Sequence, residues 1–346
     1  MALTPWPNHS WHVPLYRSAR GLGTSPIPCG AELIEIGFDF VAHELTILTS
    51  CGGEASIALA PKSVAAFHRE LFDALAVLGV HVTIGPTPTE MDDAIPFATD
   101  EIHRAYDADA AHRFWRALIV AHALFTRFRS GFLGKASLVH FFWGSFDLAV
   151  TRFSGRPALL HPGGAPHLPD AIVRVAYSHE VSSAGFWPGN DAYPHAAFYS
   201  YAYPVPSGFD AARVRGGEWS ATLGEWLLPW DRARTATDPE AMVADFLNDS
   251  YAAAADLARW GRRALECAPG DPGRPRAIAG RLAILASAWP KSAATSAGAF
   301  SAAARSRSRC GCTIHRRAGY APSAPGPRSS APQAAAASRR ARRSAP

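Results

Sequence analysis

Apolar and polar positions alternate along three short runs between Ala31 and Ile84, a pattern typical of half-buried β-strands. In the first run one parity is apolar and the other is polar: Ile34, Ile36, Phe38 and Phe40 against Glu35 and Asp39. Two more runs surround Leu45 and Ile57, and Gly52-Gly53 separates them as a turn. Because the connections between the runs are short, the pattern predicts an antiparallel meander.

Three longer segments place apolar residues at helical spacing, and each begins at a capping residue. The predicted starts are Ser63, Asp107 and Asp238, and the predicted ends are Gly79, Gly131 and Gly261. A further strand is predicted over residues 80–84, directly after the first helix. Because these elements connect locally, we expect an α+β fold of largely antiparallel sheet with three main helices packed on it.

The composition of the chain changes abruptly after Asp271. Of the 75 residues that follow, 60 are Ala, Arg, Ser, Pro or Gly, and such a segment cannot bury a core. We therefore predict a single α+β domain over residues 1–268 and a basic, disordered tail over residues 269–346. All five residue types have GC-rich codons, so an out-of-frame extension and an ordinary disordered tail are both open explanations.

The charges are divided unevenly between these two segments. The chain has 34 Lys and Arg, 29 Asp and Glu, and a net charge of +5. Because 14 of the basic residues and none of the acidic residues follow Asp271, residues 1–271 hold 20 basic against 29 acidic residues, a net charge of −9. An acidic domain disfavours a phosphate-binding surface, so we expect no specific nucleic-acid partner.

The sequence predicts neither export nor insertion into a membrane. The N-terminal residues, Met1 to Trp11, lack the positive and apolar segments of a signal peptide. The longest apolar run, Ala277 to Trp289, is interrupted by Arg281 and is shorter than the roughly 20 residues of a spanning helix. The five cysteines are sparse, which is typical of reduced thiols. We therefore expect a cytoplasmic protein without a membrane partner.

Common catalytic motifs are missing from the sequence. Residues 131–137 have the wrong spacing for a phosphate-binding loop, and His179-Glu180 lacks the second histidine of a zinc-protease helix. Residues 143–146 contain Ser145 but not the flanking glycines of a nucleophile elbow. The sequence therefore assigns neither a cofactor nor a metal.

The first candidate site stretch runs from His140 to Arg152. On a straight strand Asp147 stands on the less apolar face, whereas His140 and Arg152 share the other parity. Because the stretch is longer than an ordinary strand, we expect Gly144 to break this register. We predict Asp147 as a catalytic carboxylate and His140, Trp143 and Arg152 as substrate-binding residues. A solvated strand edge is the alternative for Asp147.

The second candidate stretch contains His179 and Glu180. These residues are adjacent, so a straight strand cannot direct both side chains into one pocket. Imidazole titrates near neutral pH and can act as acid, base or ligand, which favours His179 as the catalytic group and leaves Glu180 as its competitor. A hydrogen-bonded core histidine is the alternative for His179.

Two more candidate substrate-binding residues lie outside these stretches. His12 shares one parity with Tyr16 on a predicted strand, and no spacing around it supports a metal site. Trp187 lies between Gly185 and Gly189, and the Pro and Gly content of this stretch predicts a turn. It is one of four tryptophans that could form a platform on which a ligand ring stacks, or could simply pack in the core: Trp187, Trp219, Trp226 and Trp230.

Several long runs in the chain resemble an uncharacterised bacterial family, DUF5996. The runs are NHSWHVPLY, TSPIP, HFFWGSFDLAVTRFSGR and YSHEVSSAGFWPG, and the resemblance covers about Ala2 to Glu266. It implies no reaction, since no activity is assigned to that family. It also implies a further helix ahead of Leu3 and an end near the third helix.

The candidate residues favour an enzyme that acts on a small polar or anionic molecule. His179 would be the acid or base, Arg152 would hold an anionic group, and Asp147 or Glu180 would exchange protons. A noncatalytic ligand-binding domain with an aromatic-lined pocket is one alternative, and a structural or partner-binding protein is another. The enzyme hypothesis expects one pocket to contain His12, His140, Asp147, Arg152, His179 and Glu180, and the oligomeric state is left open.

Overall fold

Residues 3–89, 93–164, 168–190 and 193–267 are described by a computed structural model, and they form two antiparallel sheets with helices packed on them. The predicted tail, residues 269–346, lies outside the described residues. The strands are β1 (Tyr16–Arg17), β2 (Gly21–Gly23), β3 (Ile27–Cys29), β4 (Glu32–Asp39), β5 (Glu44–Thr49), β6 (Glu54–Ala58), β7 (His140–Phe142), β8 (Asp147–Pro157), β9 (His179–Trp187), β10 (Ala197–Tyr203), β11 (Glu218–Ser220) and β12 (Glu225–Pro229). The helices are α1 (Val64–Val77), α2 (Ala108–Ser130), α3 (Asp170–Ala176), α4 (Trp230–Arg234), α5 (Pro239–Leu257) and α6 (Arg262–Leu265).

Three strands of the small sheet, β4 to β6, form the meander predicted from the alternating runs. The order of the whole sheet is β1-β2-β4-β5-β6, with β3 also paired to β4. Leu45 lies opposite Phe38 on one side and Ile57 on the other. Helix α1 covers this sheet and buries Leu75 against it. The hydroxyl oxygen of Ser63 accepts a hydrogen bond from the amide of Ala66 at 3.1 Å, which confirms Ser63 as the N-cap.

Two predicted strands are wrong. Residues 80–84 form no strand: Val80 is buried in the small core, but the chain after it has no regular secondary structure and Ile84 is exposed. Gly85 and Pro86 follow at once, and proline cannot extend a strand ladder. No strand forms around His12: the chain makes a 3-10 turn at Asn8–Ser10 and a further turn at Trp11 and His12, and β1 begins only after Pro14.

The large sheet has the order β11-β12-β10-β9-β8-β7. Helices α2 and α5 pack on one of its faces and form the main core, whose fully buried members include Leu118, Phe125, Val150, Phe186, Phe198 and Phe246. Both helices begin at their predicted caps, because Asp107 and Asp238 accept hydrogen bonds from the amides of Ala110 and Ala241 at 2.9 Å. The three main helices of the predicted α+β fold are therefore confirmed.

The two sheets meet at the β7 edge of the large sheet. Leu15 forms an isolated antiparallel bridge with Phe141, and Leu22 of the small sheet packs in the main core. Helices α3, α4 and α6 were not predicted, because each is too short to show a helical period. Tyr177, the residue after α3, packs on Tyr201 at the face of the large sheet opposite the main core.

Candidate functional site

The two faces of the large sheet differ in chemistry. Leu148, Val150 and Arg152 of β8 point towards α2 and α5, so the alternate residues point the other way. We call this second side the outer face. Strand pairing places the following polar or aromatic residues on it: His140, Asp147, Thr151, Ser183, Trp187, Tyr199, Tyr201, Tyr203 and Glu225. The outer face is therefore rich in polar and aromatic side chains, whereas the face towards α2 and α5 is mostly apolar.

Asp147 and Tyr199 form the centre of the outer face. The Tyr199 hydroxyl donates to Oδ2 of Asp147, although β9 separates their strands. The side chain of Tyr199 crosses β9 at Gly185, where a Cβ would lie only 2.2 Å from Cζ of the tyrosine ring. Ser145 donates a second hydrogen bond to Oδ1 of Asp147 at 2.5 Å. Burial raises the pKa of the Asp147 carboxyl, and it raises that of the Tyr199 phenol well above its usual value.

Glu225 is a second carboxyl on the same face, at the start of β12. Burial raises the pKa of Glu225 to about 7, and the negative charge of Asp147 adds to the effect. Among the described residues, no Lys or Arg forms an ion pair with either carboxyl. Two carboxyl groups therefore share a desolvated region without a compensating cation, which favours a proton on at least one of them.

Hydroxyl groups and aromatic rings continue from this pair along the outer face. Tyr177, at the end of α3, donates to the hydroxyl of Tyr201 at 3.0 Å. The rings of Tyr177, His161 and Tyr203 pack together, with centroids 4.9 to 5.2 Å apart. Beside Tyr201, the hydroxyls of Thr151 and Ser183 are 2.9 Å apart. The outer face therefore carries hydroxyl groups and ring faces: Ser183 and Tyr199 are buried, and His161, Tyr177, Tyr201 and Tyr203 are half-buried.

A group of histidines lies at the β7 and β8 side of the outer face. The Asn8–Ser10 turn places His9 against Phe153, with ring centroids 5.3 Å apart. Burial, followed by the charges of Lys135 and His179, lowers the pKa of His9 to about 4. Burial also lowers the pKa of His140 to about 4, and the charges of Arg129 and His9 add to this. His9 was not a predicted site residue.

His140 and Asp147, both predicted site residues, lie on the same face. His140 pairs with Ala149 across a hairpin that turns at residues 143–146. The hairpin confirms the expected break near Gly144, and it moves His140 to the parity of Asp147. The two residues are diagonal neighbours on adjacent strands, and residues in this relation are separated by about 7–8 Å. The Nδ1 atom of His140 is buried and has no hydrogen-bond partner among the described residues.

Arg152 and Glu180 lie on the opposite face and do not join Asp147. Arg152 is only 3% exposed, and its guanidinium lies 3.4 Å from the ring centroid of Phe128 beneath α2. Glu180 forms an ion pair with Arg156, at 2.7 Å from Nη2 to Oε2. His179 is exposed and has the outer-face parity, so the prediction that His179 and Glu180 point apart is confirmed.

The other predicted substrate-binding residues are dispersed. His12 packs on Trp6, with ring centroids 4.8 Å apart, and burial lowers the pKa of its imidazole. Trp143 is half exposed at the hairpin tip and donates to the carbonyl of Val13 at 3.0 Å. Trp187 stacks on Tyr193. Because Leu148 pairs with Phe186 on the antiparallel strands, the next residue, Trp187, lies opposite Asp147.

Of the two alternatives for the tryptophans, core packing holds for three of the four. Trp219, Trp226 and Trp230 pack with the main core, whereas Trp187 points to the outer face.

Tyr199, Tyr201 and Glu225 are candidate residues that the sequence did not identify. One signal was present, since tyrosine occupies every second position from Tyr199 to Tyr203, and this places three hydroxyls on one face of a strand. Nothing in the sequence pairs that face with Asp147, because the contact crosses an intervening strand. Glu225 has no local signal that distinguishes it from a solvated strand end.

Comparison with known proteins identifies a family and no function. A family model described as a family of unknown function, DUF5996, matches residues 1–267, which confirms the resemblance drawn from the sequence runs. No curated protein and no solved structure matches the chain. Among the described residues, no three His, Cys, Asp or Glu side chains are grouped as metal ligands. In the same residues, no helix has the length and apolarity needed to cross a bilayer.

Proposed function

We infer that this chain, which belongs to the DUF5996 family of unknown function, is an enzyme that uses acid–base chemistry on a small polar molecule at the outer face of its large sheet. The observation behind this proposal is the buried Asp147–Tyr199 hydrogen bond beside the carboxyl of Glu225. Burial of two carboxyl groups without a cation costs stability, because each loses its hydration. Strongly perturbed groups of this kind concentrate at functional sites.

The two carboxyl groups are suited to different roles. The Asp147 carboxylate, when ionised, accepts from Tyr199 and Ser145, and this would hold the phenol in a fixed direction. Glu225 has a pKa of about 7, the range in which a group can both donate and accept a proton at neutral pH. We therefore assign proton exchange to Glu225 and orientation of a ligand hydroxyl or amine to Asp147 and Tyr199.

The charge of the region favours a neutral or cationic substrate. Neither carboxyl has an arginine or lysine partner in the described part of the chain, and an anion beside them would be repelled. Arg152, expected from the sequence to hold an anionic group, lies on the other side of the sheet. His140 remains a proposed substrate-binding residue, because its strand position is close to that of Asp147. His179, for which the sequence predicts an acid–base role, lies at the start of β9. Asp147 lies beside the other end of that strand, so the role of His179 would be separate from this group.

A noncatalytic binding protein is the second candidate function. It is favoured by the packed rings of His161, Tyr177 and Tyr203, which could bind the face of a cation or a ring without any reaction. In either case the proposed partner is a small molecule in the cytoplasm, and neither nucleic acid nor a membrane is a proposed partner.

The test is a thermal-shift screen of the full chain with a library of polyols, amino sugars and small amines. Compounds that stabilise the wild type would be repeated on Asp147→Asn, Tyr199→Phe and Glu225→Gln, with Glu180→Gln as the control carboxyl on the opposite face. We expect the three outer-face variants to lose the ligand-dependent shift and Glu180→Gln to keep it. A shift that persists in all three variants contradicts the proposed site.

Mass spectrometry of each stabilising compound after incubation separates the two candidate functions. Conversion that Glu225→Gln abolishes supports the enzyme. Recovery of every compound unchanged, together with a shift that depends on Asp147, supports the binding protein and contradicts catalysis.

A further inference from the structure

A cavity lies under helices α2 and α5, on the side of the large sheet opposite the outer face. Its volume is about 280 Å³, and its apolar wall includes Leu124, Phe128 and Leu247. Its polar residues are Arg127, Arg152, Asn248, Tyr251, Arg262 and Glu266. The size corresponds to the lower end of small-molecule pockets, and none of these residues belongs to the proposed acid–base site.

Arg152 is the most deeply buried charge in the wall of this cavity. Its guanidinium stacks on Phe128 and Tyr251, with its Cζ atom 3.4 and 4.3 Å from the ring centroids. One nitrogen, Nη2, donates to the carbonyl of Phe128. The Nε atom is buried and has no hydrogen-bond partner among the described residues. An unsatisfied donor on a buried cation is costly, and ring stacking supplies no acceptor for it.

The cavity wall contains three arginines and one glutamate. Two of these arginines also pair with carboxylates outside the wall, Arg127 with Glu240 at 3.1 Å and Arg262 with Asp256 at 2.9 Å. The glutamate, Glu266, forms an ion pair with Arg262 at 2.6 Å and accepts from the hydroxyl of Tyr251 at 2.9 Å. No described carboxylate lies within ion-pair distance of Arg152. Arg152 therefore faces the cavity without a direct counter-charge.

We propose that this cavity binds a small oxyanion, either a carboxylate or a phosphate group, with the guanidinium of Arg152 as its principal contact. A planar guanidinium presents parallel N–H donors that match two oxygens of such a group. The stacked rings fix the orientation of the guanidinium, so little side-chain entropy would be lost on binding. The proposal is independent of the acid–base site.

The experiment titrates the full chain with potassium phosphate, potassium acetate and potassium citrate. Potassium chloride at matched ionic strength corrects for screening, and the melting temperature is the readout. For the wild type, we expect at least one of the oxyanions to give a saturable rise of about 2–4 °C over chloride. Comparison of phosphate with the two carboxylates identifies the preferred group.

Two variants test the position of the site. Arg152→Met removes the charge and keeps an unbranched side chain, whereas Ala244→Trp fills the cavity from α5 and leaves the hydrogen bond of Arg152 in place. Each should weaken the oxyanion affinity about tenfold or more, which corresponds to about 1.4 kcal/mol. Arg69→Met, at an exposed arginine of α1, is the matched control and should respond like the wild type.

The two variants are interpreted separately, so if one of them does not fold, the other still tests the proposal. The absence of a saturable rise with all three oxyanions overturns the proposal. An unchanged response in Ala244→Trp also overturns it, because the anion would then bind elsewhere, for instance on the arginine-rich residues after Asp271.

Discussion

At the scale of single residues, the main hydrogen bond of the outer face depends on a glycine, Gly185. The Tyr199 side chain crosses β9 over Gly185 to reach Asp147. Any larger residue at Gly185 would occupy the space of the ring, since a Cβ would lie 2.2 Å from Cζ. The Asp147–Tyr199 hydrogen bond is therefore possible only with glycine at this position.

A double-mutant cycle tests this relation. We expect Gly185→Ala to lower the free energy of unfolding by about 1–3 kcal/mol, because the ring of Tyr199 must shift. In a Tyr199→Ala background the same change should cost less, with a coupling energy of at least about 0.5 kcal/mol. Urea denaturation measures the four proteins. Gly85→Ala is the control, since nothing lies within 4 Å of its Cβ, and equal costs in both backgrounds would contradict the relation.

The carboxyl of Glu225 should make stability depend on pH. Its pKa rises from 4.5 to about 7 on folding, so the folded state binds the proton more tightly than the unfolded state. The contribution of Glu225 to stability is then fully present below about pH 4.5 and is lost as pH rises through about 7. Relative to Glu225→Gln, we expect the wild type to lose about 2–3 kcal/mol across this window.

Urea denaturation at a series of pH values measures the difference between the two proteins. Glu54→Gln, which removes an exposed carboxyl on β6, is the control and should follow the wild type throughout. A constant difference between the wild type and Glu225→Gln from pH 4.5 to 8 would show that Glu225 is not desolvated.

At the scale of elements, Arg156 joins the large sheet to the end of α5. Its guanidinium pairs with Glu180 on the adjacent strand and donates to the carbonyls of Ala258 and Arg259. These carbonyls lie at the C-terminal end of the helix, where cations are favourable and the last carbonyls lack partners within the helix. Glu180 thus has a structural partner.

We expect Arg156→Met to lower the free energy of unfolding by about 1–2 kcal/mol, because it leaves a half-buried carboxylate and two helix carbonyls without a donor. Arg234→Met is the matched control. Arg234 pairs with Asp231 three residues away on an exposed surface, so its loss should cost under about 0.5 kcal/mol. Denaturation by urea compares the two variants, and equal costs would mean that Arg156 does not support α5.

At the scale of the whole molecule, the residues after Pro269 should be dispensable for folding. Their composition lacks an apolar period, so truncation after Pro269 should leave the melting temperature unchanged in calorimetry. Nonspecific binding to DNA by the full chain, measured by fluorescence anisotropy at low salt, should disappear with the same truncation. A large loss of stability, or DNA binding retained by residues 1–269, would contradict this division.

Local patterns predicted three strands of the small sheet and the three main helices. The caps at Ser63, Asp107 and Asp238, together with their apolar stripes, gave the three main helices, and the alternation from Ile34 to Leu59 gave the meander. The predictions that were wrong lie where the pattern was short. Residues 80–84 offered only three apolar positions, and the strand expected at His12 is interrupted by Pro14.

The sequence by itself therefore determined the α+β class, the main helices and the opposite directions of His179 and Glu180. Each follows from the period of a strand or helix, which is a property of neighbouring residues. Only the tertiary structure decided which face each candidate lies on. The hairpin at residues 143–146 brought His140 to the face of Asp147, and strand order placed Tyr199 and Glu225 there. Arg152 lies on the opposite face from Asp147 because side chains alternate along a strand. No local pattern shows which of the two faces the helices will cover.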